Sequence, residues 1–545
     1  MIGEEHWPLV GAATMRALDR HTIETLGVPG ELLMESAGRA VAEAALELRP
    51  PGAAVDVLVG PGSNGGDGLV AARHLHLLGV VVRALCAADP AALRGDAGAN
   101  AARARAAGVP LQAFAPELAP APLLVDALFG TGLARAVEGT AARAIAWIEA
   151  ARRAGSRVLA VDLPSGLDAD TGQPLGEAVR ADATLTLGLP KLGLAQEPGR
   201  SLAGRVRVAR IGIADAGPGL RPDAELWTRR GAGGRLPARP RAGHKGSFGH
   251  VLVVAGSVGK TGAAALAAAG AGRSGAGLVT VACPAGLNDV LEGLCTEAMT
   301  APVPDTKERC FAAAAEDALL ALAEARDAVA LGPGIGTHPE TVSLVRSLAA
   351  RLERPLVLDA DGLNALGPAV GVLKARRAPS ILTPHPGEAA RLLGISTQEV
   401  NRDRVGAARR LAEASGGVVL LKGAASVIAA PDGRVVLNPT GGPALASGGT
   451  GDVLTGVVAG LLGQGLEARD AAALGAFVHG LAGDRLATRR GPAGLLAGDV
   501  AAELPATFRA LRRAAEAGED AGGGAARGRE RRSGAGRLSL PFPEP

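Results

Sequence analysis

The sequence predicts two α/β domains in series, each a parallel sheet covered by helices. Three observations lead there. Short runs of Val, Leu and Ala alternate with helical segments in both halves of the chain, and strands this uniformly apolar are buried on both faces. The alternation breaks once, between about 214 and 243, into Gly, Pro and Arg (ADAGPGLRP, then RRGAGGRLPARPRAG), the composition of a linker. Finally, 545 residues exceed one core, and a hydrophobic fraction of 48% can fill more than one.

Residues 10–48 read as one or two helices, from the spacing of Met15, Leu18, Ile23, Leu26, Leu32, Leu33 and Val41. Strands follow at VDVLVG (55–60), VVVRALC (80–86), LLVDALFG (123–130), RVLAVDLPSG (157–166), ATLTLG (183–188) and VRVARIGI (206–213). The second series comprises HVLVVAG (250–256), GLVTVACP (277–284), AVALGPGIG (328–336), PLVLDADGLN (355–364), SILTPHPGE (380–388) and VVLLKG (418–423). A hairpin is expected at 426–438, with a largely helical region after 452. The expected boundaries are 1–220 and 244–510 for the domains, 221–243 for the linker and 511–545 for a disordered tail (GEDAGGGAARGRERRSGAG lacks apolar periodicity).

Composition removes several function classes. Fifty-seven basic against 54 acidic residues leave a net charge of +3, too balanced for a surface that coats nucleic acid. Aromatics are 2% of the chain and Tyr is absent, so there is no base-stacking platform. The four cysteines lack CxxC spacing, which argues against a zinc site or a disulfide framework. No apolar run is long enough for a membrane helix and the start lacks a signal-peptide plan, so a cytoplasmic protein is expected, without membrane or nucleic-acid partners.

Ligands of open α/β sheets bind at loops beyond the carboxyl ends of strands. In the first domain GPGSNGGDG (60–68) offers five glycines whose N–H groups can approach a phosphate, with Asp67 and Gly68 expected to open the next helix. Asp126 and Asp162 each end an apolar strand run. Either alone would read as a helix cap. Together, beside a phosphate-type loop and GTGL, they read as a site, and Asn64, Asp126 and Ser165 could supply oxygen ligands to a monovalent cation. In the second domain SGGTGDVLTG sets three glycines ahead of Asp452 at a helix start. That arrangement suits phosphoryl transfer, which needs backbone donors and a carboxylate near the attacking hydroxyl. GPGIG, Asp359, Asp361, His385, Glu388 and Lys422 sit on other loops of the same domain. GSVGKTG is a decoy, because the Walker spacing needs Gly at 254, where Val stands.

GPGSNGGDGLVAARHL, VDALFGTGL, VDLPSGLDADTG and LPKLGL with Lys191 resemble, in this order, the NAD(P)H-hydrate epimerase domain over about residues 10–215. Ser63 departs from the NNGGDG that is usual there. HKGSFGHVLVVAGS, GPGIGTHP, LDADGLNAL, LTPHPGEAARLLG, VVLLKG and SGGTGDVLTG resemble the NAD(P)H-hydrate dehydratase domain over about 225–505. TGGPALA stands where TGNPGMA is usual, with Gly442 in place of the Asn and Ala444 in place of a Gly.

The resemblance implies a Rossmann-like three-layer α/β/α domain followed by a ribokinase-like α/β domain. The first would interconvert the R and S forms of hydrated NADH and NADPH (NADHX and NADPHX). Ser63, Asn64, Gly65, Gly66 and Asp67 would hold substrate, together with Gly130, Thr131, Gly132, Leu133, Ala134, Arg135 and Ala136. Asp162 would transfer the proton, with K+ near Asn64, Asp126 and Ser165. The second would dehydrate the S form: Asp452 deprotonates the C6 hydroxyl, which attacks the terminal phosphoryl of ADP, and phosphate is then eliminated. Ala264, Gly334 and His385 would contact the hydrate. Lys422, Gly423, Ala424, Ala425, Ser426 and Gly451 would contact the nucleotide, with Mg2+ bridging its phosphates. Fusion of the two domains resembles the bacterial enzymes, which use ADP rather than ATP, and a homo-oligomer is expected. The alternative is a ribokinase-like small-alcohol kinase with a non-catalytic nucleotide-binding N-terminal domain.

Overall fold

The computed structural model describes residues 3–520 and 539–542. It divides into two compact units, one built on Trp7–Glu225 and the other beginning at Leu226. Both are α/β units around parallel sheets, the fold class expected.

The first unit orders its strands Arg205–Ala209, Ala183–Leu187, Arg157–Val161, Leu123–Ala127, Val55–Val59, Val82–Cys86 and Leu111–Ala113, all parallel. The chain starts on Val55–Val59, builds outward through 82 and 111, then returns to Leu123–Ala127 on the other side. Order therefore reverses between Val55–Val59 and Leu123–Ala127, where a crevice opens for ligands. The helices Ala12–Arg20 and Gly30–Leu48 precede the sheet.

The second unit repeats the plan. Met299–Val303, Leu278–Pro284, His250–Val254, Ala328–Leu331, Leu356–Leu358, Ser380–Leu382 and Val418–Leu421 run parallel in that order. The expected hairpin follows as Val427–Ala429 and Val435–Leu437, both antiparallel. Its order reverses between His250–Val254 and Ala328–Leu331, so GSVGK and GPGIG face each other at the crevice.

Three expectations need correction. Residues 221–243 are not simply a linker, since Ala224–Trp227 is a strand and Arg229–Gly234 a helix. Thr228 Oγ1 caps that helix by accepting from the Gly231 N–H at 3.1 Å, and Trp227 is buried in the core of the second unit. Residues 511–520 continue the helix Ala497–Asp520, with Leu511 buried. Gly233 packs on the Leu511 carbonyl, so the segments expected to be linker and tail are packing partners. Glycine-rich composition hid this, because small residues signal loops and close helix contacts alike. Of the rest of the expected tail, Ser539–Pro541 is a strand antiparallel to Arg205–Ala209, and 521–538 lie outside the described residues. The third correction is the helix after GPGSNGGDG, which starts at Ser63 with Gly62 as its N-cap; Asp67 lies in its second turn. No helix among the described residues is long and apolar enough to cross a membrane.

In the second unit the helices Thr261–Arg273 and Thr450–Gly463 touch backbone to backbone. A Cβ on Gly456 would overlap the Ala267 carbonyl, and one on Gly270 the Val453 carbonyl. This contact sets the height of the helix that carries Asp452. Overpacking a tight contact costs about 1–3 kcal/mol, so Gly456→Ala should destabilise the protein by that amount in denaturant unfolding. Gly272→Ala, on the same helix pair but with open space around it, should stabilise it by ~0.5–1 kcal/mol through helix propensity.

Candidate active sites

At the first crevice lies a cavity of about 430 Å3. Its lining includes Ser63, Asn64, Asp67, Gly130, Thr131, Gly132, Leu133, Asp162 and Lys191, with Arg16, Asp19 and Met34 from the N-terminal helices. Most of the expected first-unit site is thus brought together. Gly65 and Gly66 are not in the lining: both are buried, Gly65 against the Gly60 carbonyl and Gly66 against Met34. Their role is to let the loop fold tightly. Ala134, Arg135 and Ala136 are exposed and lie outside the lining.

Asp162 follows the strand Arg157–Val161 at φ 68°, a left-handed conformation that Asp tolerates better than most residues. Its Oδ1 accepts from the Leu187 N–H at 3.0 Å, from Thr186 Oγ1 at 3.2 Å and from the Lys191 ammonium. Lys191 is 1% exposed and also donates to the Leu187 carbonyl at 2.6 Å. A buried lysine survives only with such partners. The other oxygen, Oδ2, is turned toward Gly130, where a Cβ would come within 3.0 Å of it and within 3.2 Å of Asn64 Oδ1. Glycine at 130 therefore leaves Asp162 and Asn64 open to a ligand. Burial, reinforced by Asp162, pushes the Asp67 carboxyl well above its ordinary range.

Asp126 is not a helix cap. Its carboxylate accepts from the Ser165 hydroxyl at 2.6 Å, the Ser165 N–H at 2.8 Å and the Leu128 N–H at 3.3 Å. Burial nevertheless raises it to about 6. Ser165 Oγ in turn accepts from the Phe129 N–H at 2.9 Å, which ties the pair to the loop that ends in Gly130. The Asn64 Nδ2 is buried without a partner.

In the second unit the crevice loops converge on Lys422. Its ammonium donates to Asp359 Oδ1 at 2.6 Å, while Thr455 Oγ1 donates to Asp359 Oδ2 at 2.6 Å. Lys422 is therefore no solvated surface charge: burial works against its charge, but Asp359, Glu388 and Asp452 outweigh that and hold it above its ordinary value. A Cβ on Gly451 would lie 3.6 Å from Lys422 Nζ, so the two expected nucleotide contacts are neighbours. Gly423 to Ser426 form a turn closed by Ser426 Oγ donating to the Gly423 carbonyl at 3.0 Å, with Ala425 at φ 52°. On GPGIG, the Gly334 carbonyl accepts from Ser257 Oγ at 2.8 Å and the Gly336 N–H donates to Asp361 at 3.1 Å.

Asp452 sits in the first turn of Thr450–Gly463, whose N-cap is Gly449 at φ 89°. The helix terminus favours its ionised form. Burial, Asp359 and Asp361 outweigh that terminus and Lys422, and raise the carboxyl to about 6. Two expected hydrate contacts are placed differently. His385 caps the helix Pro386–Leu393, its Nδ1 accepting from the Gly387 N–H at 3.0 Å, while Glu388 accepts from the His385 N–H at 2.8 Å; its ring is half exposed, with Nε2 3.5 Å from Glu388 Oε1. Ala264 is wholly buried in the core of the second unit, so its side chain offers no surface to a ligand. The sequence reading also left Thr186, Thr455, Arg16 and Asp19 unassigned. The hydroxyls stand on ordinary apolar-run positions, and only the register of neighbouring strands and helices discloses them.

Comparison with known proteins fits this geometry. Residues 251–506 match the sequence profile described as NAD(P)H-hydrate dehydratase, and 30–193 that described as YjeF-related protein N-terminus. The chain is 44% identical over 517 residues to a bifunctional NAD(P)H-hydrate repair enzyme of Moorella thermoacetica, covering 92% of this chain and 97% of that one. It is 41% identical to the protein of the same description from Thermofilum pendens, covering 91% and 95%. Among solved structures it is similar to an ADP/ATP-dependent NAD(P)H-hydrate dehydratase from Bacillus subtilis crystallised with ATP and Mg2+. That match is 33% identical and covers 52% of this chain and 98% of that one, with a TM-score of 0.45.

Removing one partner of a buried ion pair strands the other charge, at a cost of about 3–5 kcal/mol. Lys191→Met should therefore destabilise the first unit by that amount. Adding Asp162→Asn, which removes the stranded charge, should restore part of it, as measured by thermal and denaturant unfolding.

Proposed function

The chain belongs to the family of bifunctional NAD(P)H-hydrate repair enzymes, and on that premise we propose that each unit carries one step of the repair at its own crevice. The first unit interconverts R and S hydrates of NADH and NADPH in the cavity beside Asp162. The second dehydrates the S form at the expense of ADP, giving NAD(P)H, AMP and phosphate. What carries the reading of residues is a shared arrangement: in each unit a Lys–Asp pair with a buried carboxylate stands at the carboxyl ends of the strands, beside a second, unpaired carboxylate.

In the first unit the Lys191 ammonium and the Leu187 N–H hold Asp162 Oδ1, which leaves Oδ2 toward Gly130 as the proton-transferring atom. Gly62, Ser63 and the loop 130–133 hold the substrate's phosphates and ribose. Asn64, Asp126 and Ser165 form an all-oxygen set on one loop cluster, suited in donor chemistry to K+. Potassium there would supply fixed positive charge for the substrate.

In the second unit Asp452 accepts the C6 hydroxyl proton as that oxygen attacks the terminal phosphoryl of the nucleotide. Gly449 and Gly451 present N–H groups to the phosphoryl oxygens and Lys422 offsets the developing charge. The other carboxylates are already engaged, Asp359 by Lys422 and Thr455, and Asp361 by Lys260 and Gly336. Magnesium would thus come bound to the nucleotide's phosphates, where it supplies charge neutralisation, as it commonly does. A small-alcohol kinase would leave the first cavity unexplained and would release a stable phosphorylated product.

The test is to give pure protein mixed hydrates, Mg2+ and either ADP or ATP, and follow the return of reduced-nicotinamide absorbance. Asp162→Asn should abolish enzyme-driven R-to-S conversion and leave dehydration of the S form intact. Wild-type turnover of the R form, corrected for spontaneous epimerisation, would remove Asp162 from the mechanism.

Asp452→Asn should lower dehydration by about 10²–10⁴-fold, the usual worth of a general base, with nucleotide binding little changed. In the wild type the rate should fall as pH drops through about 6, where Asp452 takes up a proton. Stability should move the other way. The folded carboxyl lies above its unfolded value of 3.8, so ionisation opposes folding progressively from about pH 4 to 6. Asp452→Asn should melt higher than wild type at pH 8, an advantage that disappears below pH 4. A near-wild-type rate for this variant would return Asp452 to a purely structural role.

A further inference from the structure

The helix Ala12–Arg20 is fastened at both ends. Just before it, the Val10 N–H donates to the Pro190 carbonyl at 3.0 Å and the Val10 carbonyl accepts from the Leu192 N–H at 3.0 Å. The Gly11 N–H donates to Asp223 at 2.8 Å and the Ala12 N–H to Asp170 at 2.6 Å. Beyond the far end, Thr22 Oγ1 donates to the Leu18 carbonyl at 2.8 Å and accepts from the Ala214 N–H at 3.0 Å. Met15 and Leu18 pack with Val10 and Leu189 in a buried cluster. Arg16 and Asp19, three apart, share the neighbouring face, and both line the first cavity. From there the Arg16 guanidinium reaches the loop 130–133 and donates to the Thr131 carbonyl at 3.4 Å.

Charge in that cavity is unevenly matched. Four carboxylates line it, Asp19, Asp67, Asp96 and Asp162, against two cations, Arg16 and Lys191. An ammonium has three N–H donors, and those of Lys191 are spent on Asp162, Thr186 Oγ1 and the Leu187 carbonyl. Arg16 is exposed, makes no ion pair among the described residues, and gives only a long bond to a neutral carbonyl. A guanidinium has five donors, so Arg16 alone in the lining has cationic donors to spare. A hydrated dinucleotide brings a pyrophosphate, which the carboxylates would repel.

We propose that Arg16 binds the pyrophosphate of the hydrated dinucleotide in the epimerisation site, its planar fork spanning phosphate oxygens beside the loop 130–133. This rests on the reading of the first cavity as the place of R-to-S conversion. The pyrophosphate is preferred to a 2′-phosphate because NADHX and NADPHX share it, and both are substrates in that reading. The bond to Thr131 is a resting contact: it holds the fork near the loop, and an anion displaces it readily because charge-assisted bonds are the stronger. A helix held at both ends presents the arginine already in place, which lowers the ordering cost of binding.

The experiment compares the wild-type full chain with Arg16→Met, Arg16→Lys and Asp162→Asn. Two quantities are read: turnover of the R hydrates, and calorimetric binding of ADP-ribose, which has the pyrophosphate but no nicotinamide ring. Arg16→Met removes charge and donors from an exposed position, so the melting temperature should hold. KM for R-NADHX and for R-NADPHX should rise equally, by at least ~10-fold, with kcat within about threefold of wild type. ADP-ribose should bind more weakly by a similar factor, and dehydration of the S form should not change. Arg16→Lys, which keeps the charge and loses the fork, should fall between. Asp162→Asn should lose kcat and keep its affinity for ADP-ribose. Unchanged KM and unchanged ADP-ribose affinity in Arg16→Met overturn the proposal. So does a loss confined to NADPHX, which assigns Arg16 to the 2′-phosphate instead. If the wild type does not turn over R hydrates, the reading of the cavity falls, and the ADP-ribose comparison still decides for or against Arg16.

Discussion

Backbone meeting backbone, with no side chain between, is the constraint on which both sites depend. A chain with 79 glycines and only ten aromatic Phe and Trp residues cannot fill space with large rings. It closes distances instead. Gly60 lies on the Leu128 carbonyl and Gly65 on that of Gly60, which draws the two crevice loops of the first unit together. Gly270 and Gly456 do the same for the helices beneath Asp452, and Gly332 for the contact of GPGIG with the Asp359 carbonyl. Dispersion falls off steeply with distance, so close approach recovers in contact what small side chains give up in area. It also brings backbone N–H groups to the surface of a crevice, where an anion can use them.

Upon that frame the two units set out charge in a common way. Each sets a lysine at the carboxyl end of its sheet, fully buried in the first and partly buried in the second, and pairs it with one buried carboxylate: Lys191 with Asp162, Lys422 with Asp359. Each also holds a second carboxylate without a cation of its own, Asp67 or Asp452, which burial and its neighbours lift in pKa. The roles divide differently, however. In the first unit the paired Asp162 is the one left with an open oxygen. In the second, both oxygens of the paired Asp359 are spent, so the unpaired carboxylate is the one free to take a proton. Environments that push two carboxyls apart are how a site obtains an acid and a base from one residue type.

Much of this was legible beforehand because strands buried on both faces write themselves as apolar runs, and loops at strand ends as Gly, Asp and Asn. The alternation located the central strands of both sheets and the hairpin at 427–437, but not His6–Leu9, Leu111–Ala113, Ala224–Trp227, Met299–Val303 or Ser539–Pro541, which lie at or toward the sheet margins. What misled was small-residue packing. RRGAGG and the stretch after Leu511 carry no apolar periodicity worth the name, yet Gly233 on the Leu511 carbonyl and the burial of Trp227 and Leu511 make them structure. The start of the helix at Ser63 was hidden for a related reason, since Gly65, Gly66 and Gly68 are poor helix formers and are held helical by what packs on them. Likewise, Ala264 belongs to a motif yet lies in the core.

The strand Ser539–Pro541 adds an eighth member to the first unit's sheet, beside Arg205–Ala209, and Phe542 stands edge-on to Trp7 at 5.8 Å between ring centroids. The first unit is thus discontinuous in sequence, interrupted by the whole of the second. During synthesis its seven-stranded sheet can assemble as soon as residue 209 is made, but with one margin bare until the last strand arrives. At ~5–20 residues per second that interval is on the order of half a minute. A bare margin is a template for pairing with other chains. The strand Ser539–Pro541 therefore acts as a closing seal, added only after the sheets of both units have been made.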